Sequence, residues 1–318
     1  MNPELAITRH NDLIDPFIHV WSWEIPVYLF LGGWVAGMMI ITGYFLLGGR
    51  HTRHSPLLSA LPGVGLVLLS LGMLSLFLDL EHKWYVWRLY TTFQWTSPMS
   101  WGSWILLLVY PVLIVTWLVR PPVILEDLSQ TVERFSLRLQ ANRQAVTALG
   151  VTSMVLGVAL GVYTGVLLSS LGARPLWNSG ALGVLFLASG VSAAAAFAHL
   201  VTPDPGERAL TVRIDNIVLA AELGILALFL FGLLAGSAAQ VEAANLFLGG
   251  PFTAPFWVCV VGLGIVIPLF IQLLAARHLV QHTPIAPIMV MAGGLALRWV
   301  LVSAGQVSHW AHGAMGMR

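Results

Sequence analysis

Eight long apolar runs follow one another along this chain, with little polar sequence between them. They fall near residues 22–47, 58–80, 99–119, 145–171, 178–201, 210–236, 252–277 and 283–307. A helix needs about 20 apolar residues to cross about 30 Å of hydrocarbon, and each run meets that length. Charged residues make up only 9% of the chain, where a soluble domain would carry roughly 25%. In hydrocarbon the backbone must satisfy its own hydrogen bonds, so runs of this kind fold as helices. The expected fold is an all-α integral membrane protein, its eight transmembrane helices arranged as two four-helix bundles.

An even number of spans puts both termini on one side. Lys and Arg then divide unevenly: Arg9, Lys83, Arg88, Arg174 and Arg318 lie with the termini, and Arg50, Arg53, Arg120, Arg134, Arg138, Arg143, Arg208, Arg213 and Arg277 lie opposite. The richer side is expected to face the cytoplasm, leaving both termini outward, on the periplasmic side of an inner membrane. No cleavable leader is read at the start, because the first sixteen residues are polar and the run that follows is too long for a leader's apolar core. The single Cys259 excludes a disulfide framework, a cysteine-ligated Fe–S cluster and a structural zinc site within the protein. No basic stripe suggests nucleic acid.

The organisation reads as helices 1–3 within 1–120, a cytoplasmic connection over 121–144, helix 4 over 145–171 closing the first bundle, and the second bundle over 172–318. In the connection, Leu125, Leu128, Val132, Phe135 and Leu139 recur at steps of three and four among charged residues, the pattern of a helix lying on the membrane surface. A plain solvated linker is the alternative. Leu29-Phe30-Leu31-Gly32-Gly33 in the first run echoes Leu185-Phe186-Leu187-Ala188-Ser189-Gly190 in the fifth, which fits a parallel repeat. Of the 13 Trp residues, Trp21, Trp23, Trp84, Trp87, Trp95, Trp101, Trp104, Trp177 and Trp310 fall at outward ends. An interfacial aromatic belt accounts for some of these, but a belt should occupy both faces, so an outward surface that docks a partner or shelters a flat ligand stays equally open.

Two polar groups persist among the apolar runs. Near the outward face stand Asp15, His19, Glu24, Asp79, Glu81, His82, Lys83, Arg88 and Tyr163. A His and a Tyr beside a shallow pocket could hold the two carbonyls of a quinone while a carboxylate relays protons. The competing reading is a solvated loop and an interface tyrosine. Toward the cytoplasm stand His199, Arg213, Asp215, Glu222 and Arg298. Asp215 and Glu222 are two helical turns apart on one face. A charge such as Arg298 near mid-membrane costs at least about 2.5–3.5 kcal/mol unless it is paired or wet. A proton path and a structural ion pair explain this group equally well. The ten His residues lie almost all in loops or at helix ends, so no haem is expected.

Trp23-Glu24-Ile25-Pro26-Val27-Tyr28-Leu29-Phe30-Leu31-Gly32-Gly33, Ser97-Pro98-Met99-Ser100-Trp101-Gly102-Ser103-Trp104 and Tyr163-Thr164-Gly165-Val166-Leu167-Leu168-Ser169, with Pro175-Leu176-Trp177, resemble the polysulfide reductase membrane-subunit family, the NrfD-like proteins. The resemblance covers essentially the whole sequence. It implies a subunit without haem, Fe–S cluster or metal that exchanges electrons with membrane quinone (menaquinone or ubiquinone). The partner it implies is a ferredoxin-like Fe–S subunit on the outward face, linked to a catalytic subunit that is often a molybdopterin enzyme. The family's quinone-site His and Tyr fall on His19 and Tyr163, its acidic position on Asp79 or Glu81, and Trp23 lies beside them. Similarity also favours Arg213, Asp215 and Glu222 as a proton path, with His199 and Arg298 in the same half. A secondary transporter or ion pathway without redox chemistry is the rival function.

Overall fold

The computed structural model describes residues 21–49, 55–121, 130–172, 174–277 and 283–308. The eight expected spans are all present as long apolar helices: α1 (Glu24–Leu47), α2 (Pro56–Asp79), α3 (Pro98–Val119), α4 (Arg143–Ser169), α5 (Ala181–Val201), α6 (Pro205–Leu234), α7 (Pro255–Ala275) and α8 (Ile285–Val307). The protein is a multi-pass membrane protein. Phe231, Leu228, Ile217 and Phe270 turn outward with more than half of their surface uncovered, which suits contact with lipid and would be costly in water.

Helix limits follow local chemistry more closely than hydropathy. α6 starts at Pro205 because the Asp204 carboxylate accepts from the Gly206 and Glu207 amides and proline tolerates the first turn. α4 starts at Arg143 because the Asn142 side chain accepts from the Ala145 amide at 3.1 Å. α7 is π-wound over Pro255–Val266 and returns to α over Ile267–Ala276.

α1 packs against α2 and α4, and α3 closes that group by touching both α2 and α4. α5 packs against α6 and α8, and α7 lies against α6 and α8. The two groups meet where α1 crosses α5. Lipid gives helices no hydrophobic reason to associate, so close packing through small residues has to hold them. At this crossing Gly37 lies against the Gly190 carbonyl, and Gly190 against the backbone of Gly33. A Cβ at either Gly37 or Gly190 would collide with backbone. The two echoing segments of the sequence are therefore the surfaces in contact.

One face of the molecule carries the start of α1 and the end of α8, tied by Gln306, whose amide donates to the Trp21 carbonyl at 3.0 Å. The turn before α5 joins them: Trp177 stacks on Trp21 at 5.3 Å and donates to the Leu301 carbonyl at 2.9 Å, and Arg174 donates to the Ser308 carbonyl at 3.1 Å. This is the N-terminal face. At the opposite face the connection forms a helix over Gln130–Ala141, where Ser136 and Gln140 both donate to the Val119 carbonyl that ends α3. Leu125 and Leu128, also expected in that helix, lie outside the described residues.

Candidate functional site

Glu24 occupies the first turn of α1, and Tyr28 lies one turn further on. The phenols of Tyr28 and Tyr163 (α4) lie close enough to influence each other, and both rings are buried. Gly102 of α3 lets Tyr163 sit there, since a Cβ at Gly102 would fall inside the phenol ring. Gly72 of α2 closes on the other side, with room for only ordinary contact to Leu31 and Tyr28. Neighbouring helices thus wall a pair of phenols held by α1 and α4.

Two carboxylates stand at the same end of the helices. Asp79, the last residue of α2, is within electrostatic reach of Glu24, and one Glu24 carboxylate oxygen is buried without a hydrogen-bond partner. Glu81 is exposed, so of the two acidic candidates Asp79 is the one turned toward the α1 end of the cluster. Trp23 precedes α1 and is half exposed. His19 lies outside the described residues. Tyr90, in the short helix Arg88–Thr91, completes the group: its charge would be felt at Tyr28. Partial burial, and after it the neighbouring Tyr110, raise the Tyr90 phenol above its usual value.

The segment covering this region is aromatic and open. Phe93 packs edge-on to Trp95, Trp101 and Trp104 at 5.2–5.6 Å, and Trp101 donates to the Trp95 carbonyl at 2.9 Å. Arg88 lies over the Tyr85 ring at 4.8 Å. Trp84 is 92% exposed. Beside it, Asp79, Glu81, His82 and Lys83 line an open notch of about 740 Å³.

The second polar group sits between α5, α6, α7 and α8. Asp215 is held on both oxygens, by the Ser192 hydroxyl and the Gln272 amide, each at 2.7 Å. Glu222 lies against Ser189 and within reach of the charge on Arg298. Arg298 has no exposed surface. It donates to Ser189 at 2.6 Å, to the Gly294 carbonyl at 2.9 Å and to the Phe186 carbonyl at 2.8 Å, and its guanidinium faces the rings of Phe186 and Phe30 at 5.0 and 5.8 Å. It is therefore planted at the crossing of α1, α5 and α8. Asp215, Glu222 and Arg298 share one buried line. Arg213 is exposed on another face of α6, and His199 is buried near the end of α5.

Sequence reasoning missed Tyr28, Gly102, Tyr90, Ser189, Ser192 and Gln272. The first two lie inside the segments that carry the family resemblance, so the signal was present but not separable from apolar filler. Among the described residues no three His, Cys, Asp or Glu side chains gather as a metal-binding set.

The fold and these two buried polar groups define a polytopic α-helical membrane protein with a phenol–carboxylate cluster at one face. Residues 8–309 match the family described as polysulphide reductase, NrfD, and the protein belongs to that family. It is 33% identical over 309 residues to protein NrfD of Escherichia coli (strain K12), covering 91% of this sequence and 96% of that one. It is 30% identical over 304 residues to the C subunit of polysulfide reductase from Wolinella succinogenes, covering 90% and 94%. A protein NrfD homolog of Haemophilus influenzae is 28% identical over 308 residues.

Proposed function

We propose that this protein is the quinone-reactive membrane subunit of a respiratory oxidoreductase. It exchanges two electrons between menaquinone or ubiquinone and a ferredoxin-like Fe–S subunit, which in turn serves a catalytic subunit of molybdopterin type. The observation that carries the reading is the buried Tyr28–Tyr163 phenol pair, with Glu24 one turn before Tyr28 on α1 and Asp79 in reach of Glu24. A quinone ring needs hydrogen-bond donors at its carbonyls and a proton carrier nearby, and this cluster offers both. Tyr163 and His19 hold the head group. When quinol is oxidised, two electrons leave to the partner and two protons leave through Asp79 and Glu24. Trp23 and Glu81 form the rim toward the aqueous phase.

The exposed aromatic segment around Phe93 and Trp95 is the docking surface for the Fe–S partner, which makes the N-terminal face periplasmic. The nine-cation side is then cytoplasmic, and both termini point outward. The buried line Asp215–Glu222–Arg298 is the route for protons toward the cytoplasm, with His199 and Arg213 at its entrance.

The test is quinol-linked turnover of the purified complex together with extraction of bound quinone. His19→Ala and Tyr163→Phe should each abolish turnover while the subunits remain assembled. Normal turnover in both variants overturns the site. Absence of any extractable quinone, with no quinol turnover in the parent complex, overturns the function.

A further inference from the structure

The helix Gln130–Ala141 lies at the face opposite the phenol cluster and takes no part in either buried polar group. Its depth follows from its fastening. Ser136 and Gln140 both donate to the carbonyl of Val119, the last residue of α3. α3 is an apolar helix of 22 residues, long enough to cross the hydrocarbon, so that carbonyl marks the hydrocarbon's edge. Leu139 packs against the core cluster that contains Leu57, Val119 and Val146. The helix therefore lies along the rim of the bundle, level with the lipid head groups.

The two fastened side chains define the inner side of this helix. Arg134 and Arg138 each stand two residues from Ser136, about 200° round the helix axis, and so point away from the bundle. Both are exposed. Val132, Phe135 and Leu139 form an apolar strip between the inner side and the arginines, and Phe135 keeps 43% of its surface open. Glu133, the one acid of the helix, falls on the remaining side with Leu137. Among the described residues neither Arg134 nor Arg138 has a hydrogen-bond or carboxylate partner. Two like charges one turn apart disfavour the helix that carries them unless an anion neutralises them.

We propose that Arg134 and Arg138 bind the phosphate of anionic phospholipid head groups, and that this contact seats the connection between α3 and α4 on the membrane. A guanidinium presents paired N–H groups that match phosphate oxygens. Two of them one turn apart, about 5–6 Å between their Cβ atoms, can share one phosphate or take two neighbouring ones. The apolar strip supplies the other half of the fit. Phe135 dips toward the acyl region while the arginine stems run along the interface and leave their charged heads at phosphate depth. A soluble acidic protein would meet the same charges, but it would have to occupy the plane where the end of α3 and Phe135 place lipid.

The test uses the full-length protein in vesicles, with Cys259→Ser and a bimane label on Thr131→Cys, an exposed position one turn before Arg134. Two quenchers are compared, phosphatidylglycerol and phosphatidylcholine, each carrying the same nitroxide near the head of one acyl chain, so that only the head group differs. Half-quenching should need about fivefold less of the phosphatidylglycerol, the scale of one arginine at an anionic surface. A label on Leu234→Cys, exposed at the end of α6, should respond equally to both lipids. Arg134→Gln with Arg138→Gln should remove the difference at the Thr131→Cys label, and Arg134→Lys with Arg138→Lys should keep it. Equal response to the two lipids before any arginine is changed overturns the proposal. So does a preference that survives the glutamine pair. Quenching by neither lipid overturns it as well, because the helix would then lie in water or under a protein partner.

Discussion

Arg298 is buried at a cost that its neighbours offset only in part, since its Nε has no hydrogen-bond partner. The offset comes from two backbone carbonyls, a serine and two aromatic faces, with Glu222 supplying the opposite charge nearby. Removing the guanidinium leaves Ser189 and the Gly294 and Phe186 carbonyls without their donor and Glu222 without its neighbouring charge, and a buried polar group left unsatisfied costs about 1–3 kcal/mol. Arg298→Gln should therefore lower the thermal unfolding midpoint in detergent sharply, and adding Glu222→Gln should recover part of the loss; equal stability of Arg298→Gln and the parent protein would refute this pairing. At the phenol cluster, Gly102→Leu should displace the Tyr163 ring and cut quinol turnover at least as much as Tyr163→Phe does. Gly102→Leu turnover at parental level would show that the ring has room that the packing denies. Tyr163 was legible in sequence through its motif. Tyr28 was not, because an aromatic in an apolar helix looks like filler until the partner from a distant helix is seen beside it. Asp79 and Glu81 were inseparable for a similar reason: two residues apart at a helix end, they are divided only by where the helix stops.

Among elements, α1 is the most enclosed of the spans, touching α2, α4, α5 and α8. Its glycines replace side-chain bulk with backbone contact at Gly37–Gly190 and again where Gly43 meets Gly150. Gly37→Val or Gly190→Val should prevent α1 and α5 from closing, and the protein should fail to accumulate in membranes, as read by immunoblot of the membrane fraction; Gly224→Val, where a Cβ meets nothing, should accumulate normally. The existence of every span was legible because length and hydropathy alone decide it. The limits were less so. α6 reaches back to Pro205, several residues before the apolar run begins, because its cap and its charged first turns extend past the hydrocarbon. The π winding of α7 left no mark in hydropathy, since a change of winding alters which residues face each other without altering which are apolar. The Gln130–Ala141 helix was legible from its period of three and four, whereas its fastening to Val119 was not, because two polar side chains bonding one carbonyl carry no periodic signature.

At the scale of the whole molecule, the physics of the proposed reaction depends on which face meets which compartment. The start of α1, the turn before α5 and the end of α8 are fastened together, so one measurement orients every span at once. With Cys259 replaced by Ser, a single cysteine at Gly172 reports the N-terminal face and one at Gln144 the opposite face. A maleimide that cannot cross membranes should label Gly172→Cys in spheroplasts at once, and Gln144→Cys only after the membrane is opened. Labelling in the reverse order would place the phenol cluster and the aromatic surface in the cytoplasm. Quinol oxidised at that face would then release its protons inside. In the expected orientation the same oxidation at Tyr28 and Tyr163 releases protons outside, on the side where the electrons leave to the Fe–S partner. Electrons and protons then depart from one face, so quinol oxidation alone moves no net charge across the bilayer. Any charge separation has to come from the buried Asp215–Glu222–Arg298 line, and Asp215→Asn should abolish proton uptake from the cytoplasmic side of vesicles while quinol turnover by an uncoupled preparation continues.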